Sequence, residues 1–249
     1  VALPPITIDE PTIAMVFSAN TSAFAGREAR FSTSRHLRER LHKEAKANIT
    51  VRVEDLPGED GLRVSGRGTL HLSILIETMR REGYEFEVAR PQIIFKDVGG
   101  LKYEPVEHAV VDVPGDYAGK VIELMGGRCG ELLSMTGKGG ITHCEFRIPS
   151  RGIIGMRTKV MSATRGEAIF CHNVCGHEPY KGPIAQRING AMVSMCTAAA
   201  VAYALDGLQM RGRMFVAPGD PVYEGMIVGE HAKPNDIVVN VARTKQLTN

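Results

Sequence analysis

The sequence predicts an α+β protein: two ferredoxin-like βαββαβ domains, then an incomplete C-terminal domain rich in β-structure. Three observations lead to this class. Short runs that alternate apolar and polar side chains, the period of strands, are interleaved with longer runs whose apolar positions recur every three to four residues, the period of helices. The order strand, helix, strand, strand, helix, strand occurs twice before residue 179, with little identity between the copies. Beyond that point the pattern shifts to short β-like runs around one Ala-rich segment. A βαββαβ unit folds as a four-stranded antiparallel sheet with both helices on one face, leaving the other face open. The expected divisions are a linker at 1–9, domains at 10–97 and 98–178, and a C-terminal domain at 179–249.

The elements follow in order. Residues 1–9, VALPPITID, carry two prolines and read as a linker; residues 12–19 read as a strand. The connection NTSAFAGREARFST, Asn20 to Thr33, has 14 residues, where compact domains usually spend about 4–6. Its Phe24 and Phe31 are expected to pin the loop while Arg27 and Arg30 project outward. A helix is predicted over 34–47 with Ser34 as N-cap. Leu37, Leu41 and Ala45 share one face, and Arg35, His42, Lys43 and Lys46 face away from it. Strands at 49–54 and 62–66 flank the turn Pro57–Gly61. A second helix spans about 68–82, with Leu72, Leu75, Ile76 and Met79 on one face. The run GYEFEVARPQIIF reads as one strand with Pro91 near its end.

The second copy runs through a strand in EPVEHAVVDVP, a Gly-closed helix in GDYAGKVIELMGG and a hairpin around Gly137–Gly140. A helix over SRGIIGMRTKVMSATRG, capped by Ser150 and stopped at Gly166, leads to a last strand in EAIFCHNVCGH. In the tail, TAAAVAYALDGLQMRG reads as a helix ending at Gly212, and β-like runs lie before and after it.

Net charge is only +2, but the bases are uneven. Seven Lys/Arg against three acids lie between Asn20 and Thr50, and five Lys/Arg with no acid lie between Arg147 and Arg165. Local basic patches of this kind meet nucleic-acid phosphate. The candidate contacts are Arg27, Arg30, Arg35 and Lys43 in the first unit. Lys138, Arg151 and Arg157 represent the second, and Arg211, Arg213, Lys233 and Lys245 the tail.

Catalytic signatures do not emerge. TGKGG at 136–140 lacks the first Gly and the Ser/Thr of a phosphate-binding loop and reads as a hairpin turn. SGRGT at 65–69 holds half of a dinucleotide motif and suits a helix-entry turn. Cys171 and Cys175, four residues apart on a strand, would stand about 13 Å apart, too far to share one zinc ion at about 2.3 Å each. They are expected to be buried, reduced thiols; the odd total of five cysteines points the same way. His36, His42, His71 and His143 have no carboxylate at an interpretable spacing. No apolar run approaches the ~20 residues of a membrane helix, so no membrane partner is expected.

SGRGTLHLSILIETMRREGYEFEVARPQIIFK resembles domain III of the translational GTPases of the elongation factor G superfamily. There a Gly-x-Gly turn leads into a Leu-His-Leu helix, and the next strand ends in Pro. IPSRGIIGMRTKVMSATRGEA resembles the corresponding part of domain V. NTSAFAGREARFSTSRHLRERL and ALDGLQMRGRMFVAPGDPVYEGMIVGEHAKPNDIVVNVARTKQLTN are similar to the BipA/TypA family of ribosome-associated translational GTPases, a likeness covering residues 8–249. Thr69 departs from the usual Glu, and GAMVSMCTAAA from a more polar version.

The resemblance implies a C-terminal fragment of domain III, domain V and part of the family-specific C-terminal domain. The fragment is expected to be no enzyme and to hold no cofactor; GTP and Mg would belong to an N-terminal half of the parent, a GTP hydrolase. The implied partners are the ribosome (rRNA, A-site tRNA and ribosomal proteins) and that GTPase half. The implied setting is a cytoplasmic monomer in ribosome biogenesis and translation under stress. Two other classes stay open: a protein–protein scaffold or oligomerisation module, and a small ferredoxin-like enzyme using phosphate or metal.

Overall fold

The computed structural model describes residues 10–27, 29–57, 60–184 and 189–245. The expected linker at 1–9 lies outside these residues, as does the tip of the turn at 58–59. Contacts divide the chain into two compact units on either side of residues 184 and 185.

The first unit opens with β1 (Ile13–Ser18), α1 (Ser34–Ala47), β2 (Arg52–Asp55), β3 (Gly61–Gly66) and α2 (Thr69–Arg81). Two short strands follow, β4 (Glu87–Val88) and β5 (Gln92–Ile93). The antiparallel order is β2-β3-β1-β4, with β5 also on β1. Phe17 stands opposite Leu62, and Met15 opposite Val64. Leu37 and Leu41 of α1 and Leu72, Leu75 and Met79 of α2 close over them in one core. Two sequence expectations change here. Thr33, not Ser34, caps α1, because its hydroxyl accepts from the His36 amide at 3.3 Å. The strand predicted over Gly83–Phe95 is reduced to Glu87–Val88 and Gln92–Ile93, interrupted at Ala89–Pro91, since a proline has no amide hydrogen to donate to a ladder.

The same chain order builds a second sheet from β6 (Lys96–Val98), β7 (Leu101–Pro114), α3 (Ala118–Gly126), β8 (Glu131–Lys138) and β9 (Ile141–Pro149). Then come α4 (Ser150–Ile153), α5 (Met156–Ala163) and β10 (Ile169–Pro179). The order is β10-β7-β9-β8, with β6 paired to β7 as a hairpin across the expected division at 97/98. Ala109, Val111, Cys144, Phe146 and Phe170 point inward against Val121, Met125, Met156 and Val160. Gly139 and Gly140, with φ of 60° and 81°, form the two-residue β8–β9 turn. Both left-handed positions favour glycine, and such turns match the twist of a hairpin.

The helix predicted from Ser150 to Gly166 is broken. Gly155 sits at φ 73° between α4 and α5, a left-handed conformation that stops one helix and starts the next. Ser150 therefore lies inside the first turn, with Pro149 at the cap position, and its hydroxyl caps nothing. Past the end of α5 the Gly166 amide donates back to the Met161 carbonyl at 2.8 Å. This is the six-to-one bond of a Schellman closure.

The second unit contains β11 (Ala191–Ser194), β12 (Ala198–Ala199), α6 (Ala202–Gln209), β13 (Gly212–Met214), β14 (Pro221–Val222), β15 (Ile227–His231) and β16 (Ile237–Val239). One sheet runs β13-β15-β11-β16, with β11 and β16 parallel, and β12 pairs β14. Met192, Leu205, Val222, Val228, Val239 and Val241 share a core. The helix expected from Thr197 starts only at Ala202. Ala198 and Ala199 instead pair with Val222 and Pro221, so the Ala-rich composition that suggests a helix is overridden by strand pairing.

Candidate nucleic-acid interface

The long loop is organised by one carboxylate. Glu85 Oε1 accepts from Asn20 Nδ2 at 2.7 Å and from the Gly26 amide at 2.9 Å. Phe31 is tied in by its amide to the Gly83 carbonyl at 3.1 Å and by the Glu85 amide to its own carbonyl at 2.9 Å. Its ring lies 4.7 Å from that of Tyr84 and 5.2 Å from that of His36. Arg27 lies over the Phe24 ring at 4.4 Å, and Arg30 over Phe31 at 5.2 Å. Both arginines are exposed and form no ion pair among the described residues. A guanidinium laid on an aromatic face keeps its edge donors available, the geometry that suits phosphate. Phe31 thus pins the loop as expected, and both rings carry an arginine.

On α1, Arg35 pairs with Glu39 at 2.9 Å, but the pair is 84% and 62% exposed, so solvent screens it. Lys43 is exposed beside a tighter cluster in which Arg40 bonds Glu82 at 2.6 Å and Glu44 at 2.9 Å. The hydrogen bond from Arg40 holds the Glu82 carboxyl below the ordinary range. Lys138 ends β8 at the hairpin turn, and Arg157 stands in the first turn of α5; both are exposed.

Arg151 differs and leaves the surface set. Its side chain is 8% exposed and its partner Glu104 0%. Its Nε donates to Glu104 Oε2 and its Nη2 to Oε1 at 3.0 Å, while the Lys181 amide donates to the same Oε1 at 2.8 Å. Its guanidinium also lies 4.6 Å from the Tyr180 ring centre. The bonds to Glu104 push its pKa up further. This arginine is committed to the fold, and its partner, 47 residues away, is invisible to local spacing.

In the second unit Arg211, Arg213, Lys233 and Lys245 are all exposed. The Ala232 amide donates to the Arg211 carbonyl at 2.9 Å, and Arg213 stands opposite Glu230 across β13–β15. Arg213 thus stands on the edge strand β13 and Arg211 just before it, while the Lys233 carbonyl accepts from the Gly190 amide at 2.6 Å, just before β11.

Three features escape sequence spacing: histidine–carboxylate pairs, two exposed cysteines and a cavity. On the open face of the second sheet, His143 Nδ1 lies 2.6 Å from Asp112 Oδ1, and Nε2 lies 3.3 Å from Glu145 Oε1. Glu145 Oε2 lies 3.1 Å from His108 Nε2. The hydrogen bond with Asp112, then that with Glu145, pushes the His143 pKa up; His108, then His143, holds Glu145 down. His42 likewise meets a carboxylate, Asp55, at 3.4 Å. Cys171 and Cys175 are exposed rather than buried, and Cys175 is the extra residue of a bulge between Val174 and Gly176. Among the described residues no three His, Cys, Asp or Glu side chains are placed to share a metal ion. None of the described helices is long and apolar enough to cross a membrane.

The third feature is a cavity of about 610 Å3 where the first βαββαβ sheet meets the second. Arg67, Gly68 and Thr69 at the start of α2 line it, with Ser150, Gly155 and Arg157 around the helix break. Ile154 from that break packs on the first core. Neither helix start has a side-chain cap or an acidic residue in its first turn. The Ser150 hydroxyl is buried and has no hydrogen-bond partner among the described residues.

Comparison with known proteins adds the following. Residues 189–249 match the TypA/BipA C-terminal domain, and residues 101–188 match the elongation factor G C-terminus. Curated relatives named large ribosomal subunit assembly factor BipA align with the chain. The Synechocystis protein is 50% identical over 249 residues, covering 100% of this chain and 42% of its own. Those of Bacillus subtilis and Haemophilus influenzae are each 47% identical, covering 99% and 100% of this chain and 41% of their own. The chain thus spans about two fifths of the length of these relatives.

Proposed function

We propose that this chain, which belongs to the TypA/BipA family, binds the large ribosomal subunit and serves its assembly. The observation that carries the reading is the exposure of all the candidate cations except Arg151, on a chain whose whole length aligns with part of relatives named as assembly factors for that subunit. Arg27, Arg30, Arg35, Lys43, Lys138, Arg157, Arg211, Arg213, Lys233 and Lys245 neutralise rRNA phosphates and release counterions, giving a steep dependence on salt. Specificity comes from shape, as is general for structured RNA. The loop arginines, held on Phe24 and Phe31, present edge donors with little ordering left to do on binding.

In the longer protein these domains work with a GTPase half, and GTP hydrolysis changes the angle between the halves. TGKGG is the tight β8–β9 turn rather than a strand-to-helix cradle for phosphates. The setting is cytoplasmic, the chain is a monomer, and the A-site tRNA and ribosomal proteins are further contacts during biogenesis and stress.

Co-sedimentation of the chain with purified large and small ribosomal subunits tests the reading. Saturable binding to the large subunit that weakens sharply from low to physiological salt is expected. Equal, weak association with both subunits would remove it.

A further inference from the structure

We propose that the cavity between the two sheets of the first unit is a phosphate-binding site, which shares only Arg157 with the exposed cations assigned to the ribosome. Two helices, α2 of 13 residues and α5 of 8, begin at its wall. Both begin at glycines, Gly68 and Gly155, with no side chain to satisfy the first-turn amides. Free amides and the positive end of the helix dipole favour an anion there. Thr69, at the first position of α2, leaves that turn without a carboxylate.

The observation independent of the helix ends is Ser150. It lines the cavity and is 1% exposed, and its Oγ lacks a partner among the described residues. A buried hydroxyl left unpaired is uncommon and asks for a group to complete it. Arg67 and Arg157 also line the cavity and are exposed, and neither forms an ion pair among the described residues. The opposing charge on the wall is Glu107, which is held by His172 at 2.5 Å. The volume, about 610 Å3, exceeds the needs of bare phosphate and lies in the range of small-molecule pockets. The ligand chemistry is therefore a phosphate group carried on something larger. It has two sources, a small free phosphate ester or the backbone of an RNA strand.

Calorimetric titration of the 249-residue chain with pyrophosphate, and separately with a short oligouridylate at the same ionic strength, tests the site. Saturable pyrophosphate binding identifies a free ester as the source; binding of oligouridylate alone identifies RNA. In either case Arg67→Ala and Ser150→Ala are expected to weaken binding about tenfold or more, the scale of a hydrogen bond to a charged group. Lys120→Ala, at an exposed residue that does not line the cavity, is expected to leave it unchanged. Ser150→Ala removes a hydroxyl that has no partner among the described residues, so it should not lower the melting temperature. Thr69→Glu provides a second variant: a carboxylate suits a helix start, so the fold is kept while the anion is repelled. Retention of wild-type affinity by folded Ser150→Ala and Thr69→Glu, or no saturable binding of either probe, would overturn the proposal. Ribosome co-sedimentation is scored separately, so failure here leaves that reading standing.

Discussion

The two βαββαβ sheets share one strand order and differ in where the backbone breaks. In the first, the second helix α2 is continuous and the last strand is split around Pro91. In the second, the helix is split at Gly155 and the last strand β10 runs unbroken apart from its bulge. The topology tolerates either interruption because each core is closed by residues outside the break, such as Leu72 and Met79 in one and Phe146 and Val160 in the other. The break in the second sheet also has consequences for chemistry. It separates Arg151, buried on α4, from Arg157, exposed on α5, two residues of one basic run with opposite roles.

The sharpest contrast is in ion pairs. Arg151→Ala should destabilise the chain by about 3–5 kcal/mol in urea unfolding, because Glu104 is left charged and buried. Joint replacement of both by apolar residues should recover much of that loss. The counterpart in the first sheet, Glu82→Ala opposite Arg40, should cost about 1 kcal/mol or less, since Glu82 is 39% exposed. Equal costs would break the contrast.

The helix break comes next. Gly155→Ala should cost about 1–2 kcal/mol from its left-handed backbone alone, since a methyl group at that position would meet only open space. Gly68, at φ −177°, starts α2 in an extended conformation that any residue adopts, so Gly68→Ala should have little effect. A smaller effect checks the cap of α1: Thr33→Ala should cost about 1 kcal/mol and Ser34→Ala much less.

The smallest effect is a titration. His143 should titrate above the ordinary histidine range by NMR, and Asp112→Asn should lower its value. A histidine whose folded pKa is raised contributes stability that is fully present below its unfolded pKa and is lost as pH rises through the folded value. A histidine signal unmoved by Asp112→Asn would remove the pairing.

Local order was the legible part of the chain. The spacing of Leu37 and Leu41 marks α1 over 34–47, and the order of the elements specifies both sheets. The helix break was hidden because Ile154-Gly155 continues an apolar pattern that a helix also carries. Arg151 reads like its basic neighbours until Glu104, on a strand far back in the sequence, covers it. Glu85, which shapes the loop, and the Asp112–His143 pair are cross-strand or cross-loop contacts with no local signal. The cavity forms only once the starts of α2 and α5, which belong to different sheets, line one wall.

The exposed cations carry the central claim, and the salt dependence of large-subunit binding tests it most directly. The comparison is between the unaltered chain and one in which Arg27, Arg30, Arg157, Arg211 and Arg213 are jointly replaced by alanine. The account predicts weaker binding and a flatter slope of log affinity against log salt, by about 0.7–0.9 for each phosphate contact removed. The same affinity and the same slope in a folded variant would contradict it.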